Sequence, residues 1–501
     1  MIAEAPDCCA NAGEHNTVRA LVDPDFDLQV LAGMVEGVSM NSFSEIKEPV
    51  AMEPEGRIFK GGDQRAPLMA ALTRWGQAGP GQTAGRFYPI ACVALEITQR
   101  CNLDCTLCYL SHAAEMAHDV PLDVLFSRID MIESHYGPGT SIQITGGDPT
   151  LRKPEDLKVL CRYIRARNMR TCLMTNGVKA SRELLRRLGE AGLDDVAFHV
   201  DITQERQGFS TEVSLNAIRR DYIARAKGLG LRIFFNTTIF DGNIREVPAL
   251  VRFFREHAAD ITLTSFQLQA DTGRGVLRGR DGTATPDSVM AALSAGMDAS
   301  LDFDIAAIGH AGCARYCSVL VAGDQAVSAL SNHALFEDLL AALADAEHRV
   351  DAYLDIWLTG RRVALRRPLL ALRALRHGLW LIWRLRSGLW SSRGRVHRMA
   401  VMIHNFMDSE RLERDRCESC VFMVATEEGP LSMCVHNARR DHHIFVPAKI
   451  ETPDGLLWWS AATGQRTAAP DRGTPGEVPF KRQKGRMRAA SCVARSRQNN
   501  K

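Results

Sequence analysis

The sequence has almost no net charge. Its 61 Lys and Arg against 59 Asp and Glu leave +2 over 501 residues, so no global attraction to nucleic acid is expected. The first residues, MIAEAPDCCANAGEHN, lack the apolar stretch of a secretory signal, and a cytoplasmic chain is expected. There is no internal repeat of solenoid length, which excludes a stacked-repeat architecture. Nor does the chain lack a core: 46% hydrophobic and 24% charged residues exclude a mainly disordered protein. What is plentiful is cysteine, with 14 in all. In a reducing compartment these read as metal ligands and small buried hydrophobes rather than as a disulfide framework, so their clustering matters more than their number.

A chain of this length exceeds one growing core and predicts two or three folding units. Residues 1–88 mix Gly, Pro and charge without sustained periodicity and are read as an N-terminal extension or small cap. From residue 91 the pattern turns regular. Six short β-branched or aromatic runs, ACVALEI, SIQIT, RTCLMT, DVAFHV, RIFFNTTI and ITLTSFQLQ, alternate with amphipathic helical stretches. This predicts repeated right-handed βαβ units on a parallel sheet, an α/β partial (β/α)6 barrel over 89–280 with its site at the C-terminal strand ends. Residues 281–450 form a cysteine-rich C-terminal extension in this reading, and 451–501, rich in Gly, Pro, Lys and Arg, a basic disordered tail.

The segment EITQRCNLDCTLCYL sets Cys101, Cys105 and Cys108 as C-x3-C-x2-C in the loop after the first strand. Soft thiolates at this spacing suit iron-sulfur or zinc. Three protein ligands on a four-iron cube leave one iron open for a small molecule. The structural alternative is zinc held by the same three cysteines and His112. After the second run comes GGDPT, where Gly146 and Gly147 allow the backbone to approach a ligand closely and Asp148 can accept from an ammonium. In isolation that motif is a turn.

The triplet, GGDPT and the later TNG together resemble the radical S-adenosylmethionine (SAM) superfamily over residues 91 to about 275. The superfamily often places an aromatic residue before the third cysteine; here Leu107 stands there and Tyr109 follows instead. The resemblance implies a [4Fe-4S] cluster on Cys101, Cys105 and Cys108 whose open iron chelates SAM, and formation of a 5′-deoxyadenosyl radical. It also implies a reducing donor of the flavodoxin or ferredoxin kind. Leu107, Gly146, Gly147, Asp148 and Pro149 would contact SAM by the same resemblance. Asp201, beside His199 at the end of the fourth run, would contact the ribose, although a carboxylate there could equally cap the next helix. Asn236 and Thr238 on the fifth run and Gln267 and Gln269 on the sixth are similarly placed candidates.

Beyond the barrel, Cys313, Cys317, Cys417, Cys420 and Cys434 supply more thiolates than one auxiliary [4Fe-4S] cluster needs, with four-thiolate zinc as the alternative. Cys8, Cys9, Cys92, Cys161, Cys172 and Cys492 are read mostly as buried thiols. The order of the barrel, SFQLQADTGRG, the 313 pair and HNFMDSERLERDRCESCVFMVATEEGPLSMCVHN is similar, more loosely, to tetraether lipid synthases and class D radical SAM methyltransferases acting on pterins. Finally, residues 366–398 predict an amphipathic helix. Arg373, Arg376, His377 and Arg384 fall on one side, and Leu372, Leu375, Leu379 and Ile382 on the other. With Trp380, Trp383 and Trp390 it suits the lipid headgroup region at the inner membrane face, and the alternative is a helix packed on the barrel with its arginines in water. No run there reaches the ~20 apolar residues of a membrane span. These features predict chemistry at an unactivated carbon of a lipid or other hydrophobic substrate. Methyl transfer to a pterin-like ring, and a zinc-stabilised membrane scaffold, are the other readings.

Overall fold

The computed structural model describes residues 62–111, 113–273, 280, 282–343 and 353–473. Cys8, Cys9, Cys492, the zinc alternative's His112, and the tail beyond 473 lie outside them. Helix α1 (Arg65–Arg74) precedes β1 (Cys92–Thr98), and the chain then alternates: α2 (Leu122–Tyr136), β2 (Ser141–Gly146), α3 (Pro154–Arg165), β3 (Arg170–Thr175), α4 (Arg182–Ala191), β4 (Asp195–His199), α5 (Asn216–Ala226), β5 (Arg232–Ile239), α6 (Val247–Glu256) and β6 (Ile261–Leu268). All six expected strands are present, and each pairs with the next in parallel register. The helices form because leucine and isoleucine recur at helical spacing. In α4, Leu185 and Leu188 face the sheet, Ser181 caps the first turn and Gly192 ends the last in a left-handed conformation.

The barrel does not stop at residue 280. After α7 (Pro286–Met297) come β7 (Ala314–Ala322), β8 (Gln325–Ser328), α8 (His333–Leu343), α9 (Tyr353–Arg366), α10 (Pro368–Arg384), α11 (Arg386–Ser391) and β9 (His397–His404). Then follow α12 (Arg414–Glu418), β10 (Phe422–Thr426), β11 (Gly429–Ser432), α13 (Met433–Ala438) and α14 (Arg440–Ile444). Strand β9 pairs in parallel with β6, and β10 in parallel with β1. The eleven-stranded order is therefore β11-β10-β1-β2-β3-β4-β5-β6-β9-β7-β8. An open six-stranded parallel sheet leaves two unpaired edges, and the extension covers both, which is why it cannot be a separate unit. Helical periodicity carried no signal for this, because strand pairing is a long-range choice.

The start of the expected tail is also ordered. Ala448–Thr452, Gly455–Trp459 and Arg466–Thr467 form β12, β13 and β14 of a small antiparallel sheet, with Trp459 and Ile450 in the core shared with the barrel. At the other end, residues 62–88 join the body through Thr83, whose amide donates to Ala307 O at 2.9 Å, and through Gln82, whose Nε2 donates to Gly309 O at 2.9 Å.

Candidate active site

Side chains of a strand alternate between its two faces. Here one face of every barrel strand lines a single cavity of about 480 Å³. Glu96, Thr145, Met174, His199, Asn236, Gln267 and Met402 all line it, and so do Cys101, Cys105, Cys108 and Leu107 at the C-terminal strand ends. The three thiols are close enough to act on one another. Burial, then the neighbouring Cys108, Cys101 and Asp201, push the Cys105 thiol well up, against a counter-pull from Arg206. Burial, with Cys108 and Asp148 adding, pushes Cys101 up to about 12, although the Leu103 amide donates to its sulfur at 3.5 Å. Three half-buried, neighbouring thiols, of which Cys101 and Cys105 are pushed towards the protonated form, fit a site where metal charge must displace the protons. Among the described residues, no three His, Cys, Asp or Glu side chains are gathered tightly enough for a single metal ion. The donor set and the cavity it borders nevertheless fit a cluster, which spreads its ligands wider than one ion does.

The loop that carries the triplet is fixed by the glycines of GGDPT. Gly146 has φ +129°, and a Cβ on it would overlap the Thr98 carbonyl oxygen; a Cβ on Gly147 would overlap the carbonyl of Arg100. The space so freed lets the Gly147 amide donate to Thr98 O and the Asp148 amide to Arg100 O, both at 2.8 Å. The end of β2 thereby holds the approach to Cys101. Tyr109 Oη closes the other side, donating to Gly146 O at 2.6 Å.

Two carboxylates expected to meet SAM are turned inward instead. Asp148 is 0% exposed. Its Oδ1 accepts from the Thr150 amide at 2.9 Å, and its Oδ2 from the Asn176 amide at 2.9 Å and Thr175 Oγ1 at 2.9 Å. Burial raises its pKa, and these donors pull it part-way back. Asp148 therefore caps the turn beginning at Pro149 and ties it to the end of β3, rather than facing the cavity. Neither Asp148 nor Pro149 lines the cavity, while Gly146, Gly147, Thr175 and Asn176 do. Asp201 is also 0% exposed. It accepts from the Thr203 amide at 2.9 Å and the Thr238 amide at 3.0 Å, and His199 Nε2 lies 2.6 Å away. Burial opposes its ionisation, but His199, Thr203 and Thr238 outweigh that and hold the carboxyl well below its usual range. The cap is the observed role, and His199 is the residue of that pair which lines the cavity.

The sequence reading missed a buried ionic pair in the lumen. Glu96 pairs with Arg440, and Gln99 Nε2 donates to Glu96 Oε2 at 2.9 Å. The Arg440 guanidinium lies 4.5 Å over the Tyr109 ring. Burial opposes ionisation of Glu96, yet Arg440, His436 and Gln99 keep its carboxyl below the ordinary range. A lone carboxylate inside the apolar run ACVALEI was the available signal; Arg440, in NARRDHH, carried none.

The second cysteine set resolves into four plus one. Burial raises Cys417 to about 12, with Cys420 and Cys313 adding; burial raises Cys434 as well, and Cys420 and Cys313 contribute there too. Cys313 is pushed up to about 11 by burial, although Arg416 Nε donates to its sulfur at 3.2 Å. Cys313, Cys417, Cys420 and Cys434 are thus neighbours, and Cys434 lines the main cavity. Cys317 stands apart. Strand alternation puts Tyr316 in the lumen and turns Cys317 to the opposite face, where it is 0% exposed and its sulfur lies 3.5 Å from Ser328 Oγ. Cys92, Cys161 and Cys172 are buried, as read.

Comparison with known proteins places the match on the barrel. Residues 95–254 match the radical SAM superfamily. Fe-coproporphyrin III synthase of Methanosarcina barkeri is 30% identical over 171 residues, 33% of this chain and 41% of that protein. The 7,8-dihydro-6-hydroxymethylpterin dimethyltransferase of Methanocaldococcus jannaschii is 26% identical over 186 residues, 36% of each. The chain therefore spans well under half of these relatives. Coproporphyrinogen III oxidase from Escherichia coli, a radical SAM enzyme of known structure, aligns with a TM-score of 0.30 at 13% identity, covering 41% of this chain and 52% of that one.

Proposed function

Because residues 95–254 match the radical SAM superfamily, we propose that this chain cleaves SAM reductively and functionalises an unactivated carbon of a hydrophobic substrate held in its lumen. Cys101, Cys105 and Cys108 hold a [4Fe-4S] cluster in this reading. When bound, the cluster supplies an open iron for SAM and the electron that breaks its C5′–S bond, delivered from a flavodoxin- or ferredoxin-like reductant. The observation that carries the reading is three mutually interacting thiols on the rim of one cavity, on a loop that two glycines clamp to the sheet.

The chain's own residues do the rest. Gly146, Gly147, Thr175 and Asn176 offer backbone and amide groups at the cofactor end of the cavity. Leu107 packs there, and His199, Asn236 and Gln267 supply the polar wall. Further in, Met174, Phe234, Leu263 and Met402 form an apolar band that excludes water from a reactive carbon. Cys313, Cys417, Cys420 and Cys434 are a complete four-thiolate set for an auxiliary cluster, and Cys317 is not part of it.

Carbon–carbon bond formation on a lipid, with peripheral contact at the inner face of a membrane, is the reading favoured by that apolar band. Methyl transfer to a pterin-like ring is the second, favoured by the Methanocaldococcus relative. Product mass separates them: methylation adds one carbon, whereas coupling joins two chains. The test of the common core is anaerobic purification with iron and acid-labile sulfide analysis, followed by 5′-deoxyadenosine formation under strong reductant. Protein that carries zinc instead and leaves SAM intact would overturn it in favour of a zinc-stabilised scaffold.

A further inference from the structure

Helix α10 meets the body along one side only. Leu370 is buried, Arg373 pairs with Asp338 of α8, and His377 sits edge-on to Phe336 with Nε2 3.4 Å from Ala329 O. At 100° per residue the opposite side carries Leu372, Leu375, Leu379, Ile382 and Trp383. These are the residues an ordinary amphipathic helix would bury. Here they are 62%, 61%, 59%, 49% and 56% exposed, and Trp390 of α11 is 90% exposed. The apolar stripe of the sequence is thus turned outward, the reverse of a helix packed on its barrel.

Charge says what covers it. From residue 361 to residue 398 there are eleven arginines and no acidic residue. Arg373 is drawn off into an ion pair with α8, and Arg398 lines the lumen. The others lie exposed around the apolar stripe, and Arg386 Cζ sits 4.4 Å over the Trp383 ring. No helix of the described residues is long and apolar enough to cross a membrane. Apolar side chains and tryptophans projecting from a ring of cations match the boundary between acyl chains and anionic headgroups.

We infer that α10 and α11 dock this chain on an anionic lipid surface, with Leu372, Leu375, Leu379, Ile382, Trp383 and Trp390 entering the interface. This deepens the peripheral contact of the proposed function and rests on it only for the substrate's chemistry. The position is useful to that chemistry, because β9 leaves this helical insertion and enters the sheet with Arg398, a lumen residue whose guanidinium donates to Tyr316 Oη at 2.6 Å.

The experiment is co-sedimentation of the holoprotein with vesicles of pure phosphatidylcholine and of phosphatidylcholine containing about one-third phosphatidylglycerol. The anionic vesicles should bind and the neutral ones bind far less, with binding falling as salt is raised. Because each basic residue at an anionic surface is worth about five-fold, Arg367→Gln with Arg376→Gln should cost roughly 25-fold on anionic vesicles. Leu375→Ser with Leu379→Ser should cost at least about ten-fold on the same vesicles. Both pairs are exposed, so each variant should keep its thermal midpoint and its SAM cleavage. Binding to neither vesicle, binding insensitive to both pairs of substitutions, or a dimer that the leucine pair converts to monomer would each overturn the docking assignment. Loss of SAM cleavage in the unmodified protein with vesicle binding intact would instead overturn the radical reading alone.

Discussion

The inward turn of Asp148 separates a residue that builds the cofactor loop from one that touches SAM, and Asp148→Asn tests which it is. The substitution keeps the shape and removes one acceptor oxygen and the charge. If the amide nitrogen takes the place of Oδ2, the Asn176 N–H at 2.9 Å loses its acceptor. If it takes the place of Oδ1, the Thr150 N–H at 2.9 Å does. Either way one buried donor is orphaned, at about 1–3 kcal/mol, and the remaining bonds lose their charge assistance, about 1 kcal/mol more in sum. Burial already opposes the charge and raises the carboxyl pKa, so part of this is returned when the charge goes. A net loss of about 2–3 kcal/mol remains. The assay is urea unfolding of SAM-free protein, beside SAM affinity measured on the same preparation. The expected result is a lower unfolding midpoint without any SAM present, with weaker SAM binding as its consequence. An unchanged midpoint with SAM affinity alone reduced would mean that the carboxylate faces the cofactor, and the reasoning from its hydrogen bonds would fail.

Cys105→Ala should abolish 5′-deoxyadenosine formation, since one of three thiolates is gone; full turnover would contradict the cluster assignment. Gly147→Ala drives a methyl group into the Arg100 carbonyl, and at this backbone contact should cut cleavage at least about ten-fold, read against iron content to separate loop displacement from cluster loss. Cys420→Ala should lower the iron bound per chain while Cys317→Ala leaves it unchanged; equal losses would put Cys317 back among the ligands. Burial holds His404 at about 4 against an ordinary 6.5. Between those values the unfolded chain takes up a proton that the folded one refuses, so stability falls as pH drops through that window, by roughly 3 kcal/mol when complete. His404→Phe, which can stack on Phe406 in place of the imidazole, should flatten that acid limb in pH-dependent unfolding.

The six barrel strands were legible because each is a short apolar run between helices of clear period, and Cys101, Cys105 and Cys108 because their spacing has few other uses. Orientation was not legible. Asp148 was marked for SAM by the resemblance, and Asp201 for the ribose with a helix cap as the equal alternative, but each follows its strand by two residues, and its oxygens meet amides of the next turn. Cys317 was grouped with Cys313 by proximity in sequence, although strand alternation sends it to the other face. The stripe of α10 was read correctly as residues and left open as to direction, because periodicity defines a face without saying what it meets.

The cover of the two sheet edges also determines how the extension serves the site. Strand β10 aligns Cys92 with Phe422 and Ala94 with Val424, so Cys420, two residues before Phe422, is held at the sheet, and α13 returns Cys434 to the cavity that Cys101, Cys105 and Cys108 line. Arg440 of α14 then reaches back to Glu96 on β1. A buried pair of this kind costs desolvation on both charges and adds little net stability, but breaking it leaves one charge stranded, so it specifies a single docking of the extension against the strand that leads to Cys101. Cys434 of the extension and the thiols of the barrel loop therefore line one cavity, the space that the proposed function assigns to the substrate.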